Sequence, residues 1–203
     1  MQVNDLSALL NAELGAEALY RFEAGVRAVA GSPAVLTHEE YAVAVHTNAD
    51  GYRLSFWWKG RELGHGWSAS VASIARAADK WVREVGLEHL SAEFPFVTFT
   101  GLQLAYEQGR ATEFQWQALL GGAGGAYREL IELASRDSVL SALFPQTGHR
   151  LALLQSEDSS DALASIFAVR PGWFVVYQQG GEDVEFEGGA EAMVSYLSNK
   201  LKL

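Results

Sequence analysis

In the stretch YRLSFWW, residues 52–58, large apolar side chains alternate with a second set, Arg53, Ser55 and Trp57. A period of two is the pattern of a β-strand with one buried face, here formed by residues 52, 54, 56 and 58. Lys59-Gly60-Arg61 follows as turn chemistry, so we expect the chain to return as a second strand near residues 62–65. A strand hairpin therefore sets the fold of this region.

The segments on either side extend this pattern. Residues 41–45 begin a further strand, and Ser68 or Ser70 is placed to cap a helix over about 69–85. Asp5 is a candidate N-cap for a short helix that ends before Gly15. The first part of the chain is therefore expected to combine an antiparallel β-region with packing helices.

The middle of the chain is predicted to be helical, over 100–108, 111–120 and 127–135. The period of two then returns, with strands at 151–154, 165–169, 173–177 and 183–187, a turn at Gly180-Gly181 and a closing helix. The sequence thus predicts an α+β fold with antiparallel β-strand and helix units near both ends. Both β-regions have the order strand, glycine turn, acidic strand, helix, so duplication is one interpretation.

Length and composition favour one globular body. The 203 residues, 49% of them hydrophobic, suffice for a sizeable core. We expect a single α+β domain over 1–203, either undivided or as two halves, 1–120 and 126–203, hinged near the glycine-rich run 121–125. The absence of cysteine, of a signal-peptide pattern and of a long apolar run predicts a cytoplasmic protein that does not enter a membrane.

The charge is unevenly distributed along the sequence. Of the formal net charge of −10, residues 151–199 carry eight acids against one base, Arg170. Nucleic-acid binding depends on lysine and arginine, so this balance argues against a nucleic-acid partner. A cationic protein partner is favoured instead.

Two segments carry the candidate partner-binding acids. In the strand 183–187, alternation predicts that Val184 and Phe186 point inward while Asp183, Glu185 and Glu187 form an outward row with a spacing of about 7 Å. The alternative interpretation is that these charges block edge-to-edge aggregation of a terminal strand. The loop carrying Glu157, Asp158 and Asp161 is interpreted as a solvated acidic loop. The alternative interpretation is that its three carboxylates coordinate a hard cation, although the glycine and the distal glutamate of a calcium loop are absent.

Trp57 has two interpretations, because it lies on the face opposite the apolar residues of its strand. It is either covered by a helix as part of the core or exposed as an anchor for a partner. We therefore include it among the candidate partner-binding residues.

No catalytic constellation is found in the sequence, and no cofactor or metal site is predicted. Gly66-Trp67-Ser68-Ala69-Ser70 resembles a nucleophile elbow without its second glycine, and helix capping explains both serines. The run 121–125 lacks the Lys-Ser/Thr of a phosphate loop. The five histidines lack metal-site spacing; among them, His149 lies in a polar turn after Phe144-Pro145.

One resemblance covers roughly residues 52–200. Its positions are Trp81, Phe94-Pro95-Phe96-Val97, the segment 105–109, Trp116 and the segment 143–149. This set resembles a bacterial family of unknown function, domain of unknown function 6193, which is often labelled a natural-product biosynthesis protein. The resemblance implies no known activity and no catalytic residues.

A second resemblance covers about 30 residues at the C-terminal end. The segments 172–177, 186–187 and 190–197 look like the terminal strand-turn-strand-helix of small bacterial immunity proteins. The resemblance implies a stoichiometric, often acidic inhibitor that plugs the basic active site of a secreted toxin.

Three functional hypotheses follow. The first is an immunity protein, not an enzyme, that binds a cognate basic toxin through its acidic surface. The second is an accessory or enzymatic protein of a natural-product biosynthesis cluster, with a small-molecule pocket near His149, Trp81 and Glu107. The third is a self-assembling structural module. The oligomeric state is left open.

Overall fold

The computed structural model describes residues 6–24, 34–122, 125–178 and 183–202. The chain divides into two compact units, Met1–Gln108 and Gly109–Leu203. Each unit contains helices and one five-stranded antiparallel sheet, so the predicted α+β class is confirmed. The candidate N-cap Asp5 and the turn Gly180-Gly181 lie outside the described residues.

The described elements of the N-terminal unit are α1 (Leu6–Leu14), β1 (Ala34–His38), β2 (Tyr41–Asn48), β3 (Gly51–Trp58), β4 (Arg61–Ser68), α2 (Val71–Val82), α3 (Leu87–Glu93), β5 (Val97–Thr98) and α4 (Gly101–Glu107). The sheet is a meander in the order β1-β2-β3-β4-β5. Helix α1 precedes the sheet, α2 and α3 lie between β4 and β5 in the sequence, and α4 follows β5.

The alternation of residues 52–58 places the core of this unit. Leu54 and Phe56 are fully buried on the face of β3 that α2 covers. Trp81 of α2 is also fully buried and meets the Phe56 ring edge-on at 5.6 Å. This aromatic packing holds α2 on the sheet and leaves the opposite face of β3 turned away from it.

Helix α2 begins where the sequence indicates but ends earlier. The Ser70 hydroxyl accepts a hydrogen bond from the Ser73 N–H, so capping by Ser70 is confirmed. The Ser68 hydroxyl accepts a hydrogen bond from the Ser70 N–H, so Ser68 supports the turn before the helix rather than capping it. The helix ends at Val82 rather than near Val85, because Glu84 has a left-handed φ of 63°.

The described elements of the C-terminal unit are α5 (Ala111–Gly121), α6 (Arg128–Ala134), β6 (Phe144–Thr147), β7 (Leu151–Leu154), β8 (Ala162–Arg170), β9 (Trp173–Tyr177), β10 (Val184–Gly189) and α7 (Ala190–Lys200). The sheet order is β10-β9-β8-β7-β6, with α5 and α6 before the sheet in the sequence and α7 after it. Short 3-10 turns cover Gly125–Tyr127 and Leu140–Ala142.

One face of this second sheet forms the core of the unit. Leu153, Ile166, Phe174 and Val176 belong to a buried cluster that includes residues of all three helices. The Trp116 indole N–H of α5 donates to the Leu143 carbonyl at 2.9 Å. Helix α5 therefore belongs to the C-terminal unit, whereas the predicted halves place it in the first. The hinge near 121–125 stays a prediction, because residues 123 and 124 lie outside the described residues.

The two units share an order of elements. In each, a helix precedes an antiparallel meander, a helix follows the meander's fourth or fifth strand, and these two helices pack together: α1 with α2, and α6 with α7. This order extends the strand-strand-helix similarity of the sequence, and duplication stays a prediction.

Gly66 is required where β4 approaches β5. A Cβ at this position would lie 2.8 Å from the Phe96 carbonyl oxygen, a backbone atom that is not free to move aside. We expect Gly66→Ala to lower the free energy of unfolding by about 2 kcal/mol, measured by urea denaturation. Gly148→Ala is the control, because a Cβ there has no neighbour within 4 Å. Equal loss in both variants would contradict this account.

Candidate functional site

Trp57 lies on the face of the N-terminal sheet that turns away from α2. Its Cα partners are Ala42 on β2 and Glu62 on β4, and the register with β4 shifts between Phe56 and Trp57. The residue is half-buried, and its indole Nε1 is buried without a hydrogen-bond acceptor among the described residues. Trp57 is thus neither a fully packed core residue nor a fully exposed anchor.

An open cleft of about 410 Å³ lies beside this indole. We call it the Trp57 cleft, and the lining residues that matter here are His46, Asn48, Arg53, Ser55, Trp57 and Glu62. Arg53, Ser55 and Trp57 share one face of β3 because alternate residues of a strand point the same way. A cation, a hydroxyl and an indole therefore follow one another along the strand.

The acidic strand β10 differs from its prediction at Glu185. Val184 lies opposite Tyr177 and Phe186 lies opposite Val176, so Glu185 is the extra residue of a β-bulge. The expected outward row of carboxylates at 183, 185 and 187 is therefore wrong, because a bulge breaks the alternation that such a row requires. Val184, expected to point inward, is 49% exposed.

Glu185 instead connects β10 to α7. Its carboxylate accepts a hydrogen bond from the Tyr196 hydroxyl at 2.6 Å and forms an ion pair with Lys200. The Lys200 ammonium, and then the Tyr196 hydroxyl, hold the pKa of Glu185 below its usual range. Burial and the bond to Glu185 raise the pKa of Tyr196 to about 12. Glu185 thus has a structural partner within the chain.

We expect Glu185→Gln to lower the free energy of unfolding by up to about 1 kcal/mol at pH 7, since the pair is only partly shielded from water. A carboxyl whose pKa is lowered by folding stabilises the fold above its unfolded pKa, about 4.3, and this contribution is lost as the pH falls further. Urea denaturation should therefore show a difference at pH 7 that shrinks at pH 3. A difference independent of pH would contradict the ion pair.

The remaining acids of the candidate set have separate environments. Glu157 and Asp158 take part in interactions within the chain. Asp161 is exposed and accepts a hydrogen bond from the Ser160 hydroxyl at 3.2 Å. Asp183 and Glu187 are exposed. Of the candidate acids, Asp158, Asp161, Asp183 and Glu187 are therefore exposed.

The sheet topology brings two of these acids to the same edge. Asp161 immediately precedes β8 and follows β7, whereas Asp183 immediately precedes β10 and follows β9. In an antiparallel meander β7 and β9 run in the same direction, so both connections lie at the same end of the sheet. Asp161 and Asp183, twenty-two positions apart in sequence, therefore border one end of the sheet.

Three exposed apolar residues lie beside this end. Leu163, Tyr177 and Val184 are 39%, 39% and 49% exposed. Their neighbours Ala164 and Val176 belong to the core cluster, so Leu163 and Tyr177 point to the opposite face, and Val184 is the Cα partner of Tyr177. We call these three residues, with Asp161, Asp183 and Glu187, the acidic-rimmed patch.

Two residues of the expected small-molecule pocket have structural roles. Trp81 is fully buried, and its indole N–H donates to the Trp57 carbonyl at 3.1 Å. The Glu107 carboxylate accepts a hydrogen bond from the Leu87 N–H at the start of α3, at 3.0 Å. Burial raises the pKa of Glu107, and the Leu87 N–H opposes that rise. Both residues belong to the N-terminal unit.

His149, the third residue of that expected pocket, belongs to the C-terminal unit and is exposed. Its ring lies 6.3 Å from the Phe167 ring, and its backbone carbonyl accepts a hydrogen bond from the Tyr127 hydroxyl. His149 is therefore part of a surface aromatic cluster next to a structural hydrogen bond.

The C-terminal unit also contains a cleft that none of the predicted site residues lines. This cleft has a volume of about 590 Å³ and lies beside Trp116, Arg136 and Ser141. Within the described ranges, no group of three or more metal-ligating side chains is close enough to hold a metal ion. In the same part of the chain, no helix combines the length and apolarity needed to span a membrane.

The charge is shared evenly between the units, although it is clustered in sequence. Thirteen acids and eight bases fall in the N-terminal unit, against twelve acids and seven bases in the C-terminal unit, so each has a formal net charge of −5. Lys200 and Lys202 lie just beyond the acidic segment, and Lys200 pairs with one of its acids. The local arrangement of the acids therefore says more about partners than the total charge.

Sequence reasoning missed several residues of both surfaces. Arg53 and Glu62 of the Trp57 cleft lie in strands with clear alternation, and that alternation was the available signal for a shared outer face. Leu163 and Tyr177 were assigned no role, because their exposure depends on which face the helices cover. Comparison with known proteins finds no matching protein family, no matching curated protein and no matching solved structure.

Proposed function

We propose that this chain is an immunity protein, which is not an enzyme, and that it neutralises a cognate basic toxin by binding it through the acidic-rimmed patch. The observation that carries the proposal is the juxtaposition of Leu163, Tyr177 and Val184 with three solvent-directed carboxylates. A cytoplasmic location belongs to the proposal, because such an inhibitor must meet its toxin inside the cell.

The composition of the patch suits a protein partner. Interfaces that bind proteins commonly have an apolar centre, rich in aromatic residues, inside a polar rim that excludes water. Tyr177 contributes the aromatic centre, and the Phe167 ring supports it edge-on at 5.6 Å. A rigid, partly exposed aromatic side chain loses little conformational entropy on binding, so it is a good anchor.

The charge of the rim favours a cationic partner. Asp161, Asp183 and Glu187 attract lysine and arginine side chains and raise the association rate at low salt. Glu187 lies on the edge strand β10 and Asp183 immediately precedes it, so the same charges also discourage edge-to-edge pairing with a second copy. Both effects serve an inhibitor that must remain available for its partner.

Co-purification with the product of the adjacent gene tests this proposal. We expect a complex whose affinity falls at high salt, and we expect Asp161→Lys with Asp183→Lys to weaken it. Glu13→Lys with Glu88→Lys is the matched control, because it changes the net charge equally in the N-terminal unit. Charge reversal must omit Glu185, which is paired with Lys200. Absence of a complex would overturn the proposal.

A second candidate function is an accessory or enzymatic protein of a natural-product biosynthesis cluster that binds a small molecule. The Trp57 cleft favours it, because its volume of about 410 Å³ lies in the range of ligand pockets. Trp81 and Glu107 do not support it, since both have structural roles. A biosynthetic rather than a toxin gene neighbourhood would favour this candidate.

A further inference from the structure

The Trp57 cleft holds opposite charges at its two ends. Arg53 lies opposite Trp67 on β4, and Glu62 lies opposite Trp57, so the guanidinium and the carboxylate belong to different cross-strand rows. Neither side chain forms an ion pair with another residue that the structure describes. Both charges are therefore free to meet a ligand that enters from solvent.

The part of the cleft between Arg53 and Glu62 is lined by a small side chain, that of Ser55. Ser55 lies midway between Arg53 and Trp57 on β3, and its Cα partner on β2 is Ala44. The small Ser55 side chain lines the cleft between its larger neighbours Arg53 and Trp57. The cleft therefore leaves room for a ligand to lie along the strand.

The spacing along β3 sets the length of that ligand. Arg53 and Trp57 are four residues apart, which is about 13 Å between Cα atoms in an extended strand. A free amino acid carries its ammonium and its carboxylate on one Cα, so it spans much less of this distance than a short peptide does. Two or three extended residues span about 7–11 Å, and the Arg53 side chain can cover the remainder.

We propose that the Trp57 cleft is a binding site for a short peptide, two or three residues long, with free amino and carboxyl termini. The Arg53 guanidinium forms a forked pair with the peptide carboxylate, because its planar N–H groups match two carboxylate oxygens. Glu62 holds the ammonium. The indole of Trp57 packs against an apolar side chain of the peptide.

This site is independent of the proposed immunity function. It is formed by β2, β3 and β4 of the N-terminal unit, whereas the acidic-rimmed patch belongs to the C-terminal unit. A negative result for peptide binding would therefore not contradict toxin binding, and a negative result for toxin binding would not contradict peptide binding.

Calorimetric titration with alanyl-phenylalanyl-alanine tests the proposal. We expect binding that N-acetylation or C-amidation of the peptide weakens about tenfold each, with free phenylalanine binding at least as weakly as the capped peptides. Glu62→Gln should remove the effect of N-acetylation and keep that of amidation, and Arg53→Gln should do the reverse. Arg76→Gln, on the exposed side of α2, is the control and should bind like the wild type.

The comparison of free and capped peptides uses the wild-type protein, so it does not depend on the folding of any variant. Far-ultraviolet circular dichroism and the melting temperature show whether each variant is folded. No binding of the free tripeptide at millimolar concentration would overturn the proposal. Equal loss on capping in the wild type and in both cleft variants would overturn it as well, because recognition would then not depend on Arg53 and Glu62.

Discussion

Val184→Lys is expected to weaken binding of the cognate toxin about a hundredfold. Val184 is 49% exposed and is the Cα partner of Tyr177, so it lies at the apolar centre of the acidic-rimmed patch. A lysine there must be desolvated on binding and repels a basic partner, and changes at such central positions commonly exceed 2 kcal/mol. Titration calorimetry with the purified toxin measures the change.

Val169→Lys is the matched control for this variant. Val169 is also an exposed valine of the C-terminal sheet, at the other end of β8, and the substitution adds the same charge. We expect less than a threefold change in affinity for this control, because it lies away from Asp161 and Asp183. If the two variants weaken binding equally, net charge rather than the patch governs the interaction.

Trp81→Ala is expected to lower the free energy of unfolding by about 4 kcal/mol. The side chain is fully buried between Phe56 and Tyr41, with ring centroids 5.6 and 5.3 Å away. The substitution also removes the hydrogen bond to the Trp57 carbonyl. Urea denaturation measures this loss as a lower midpoint for the transition of the N-terminal unit.

Trp67→Ala is the control for Trp81→Ala. Trp67 is 47% exposed, so we expect a change within about 0.5 kcal/mol. The comparison also separates two roles of Trp81. Truncation of a core residue lowers the free energy of unfolding of the protein. Truncation of a pocket residue weakens ligand binding and changes that free energy little. Normal stability of Trp81→Ala would therefore contradict the packing described above.

Much of the fold could be predicted from hydrophobic periodicity. Strand β3 was predicted because four large apolar residues on one face leave few alternatives to a half-buried strand, and β9 was predicted over its full range, Trp173–Tyr177. Strand β1 was missed, since Ala34–His38 has no strong alternation: its first three residues are all buried. Strand β6 is not among the predicted strands, and its Pro145 is tolerated because β6 is an edge strand.

The functional surfaces were harder to predict, because they depend on register and topology. The bulge at Glu185 arises from the pairing of β10 with β9, which a single strand's sequence does not specify. The acidic-rimmed patch requires the knowledge that both hairpin connections meet at one end of the sheet. Sequence periodicity gives the face of a residue, whereas only the assembled sheet gives its neighbours.

The acidic segment illustrates this difference between composition and arrangement. Counted along the chain, residues 151–199 hold eight acids. In the fold, Glu185 pairs with Lys200, Glu157 and Asp158 have other interactions, and the exposed acids Asp161, Asp183 and Glu187 belong to the acidic-rimmed patch. The apolar residues beside those three make the surface specific, because charge alone steers a partner without fixing its position.

Growth of cells that produce the toxin encoded by the adjacent gene tests the central claim most directly. We predict that co-production of the wild-type chain restores growth, that Val169→Lys restores it equally, and that Val184→Lys fails to restore it while folding normally. Protection by Val184→Lys equal to that of the wild type, or no protection by the wild type, would contradict neutralisation through the acidic-rimmed patch.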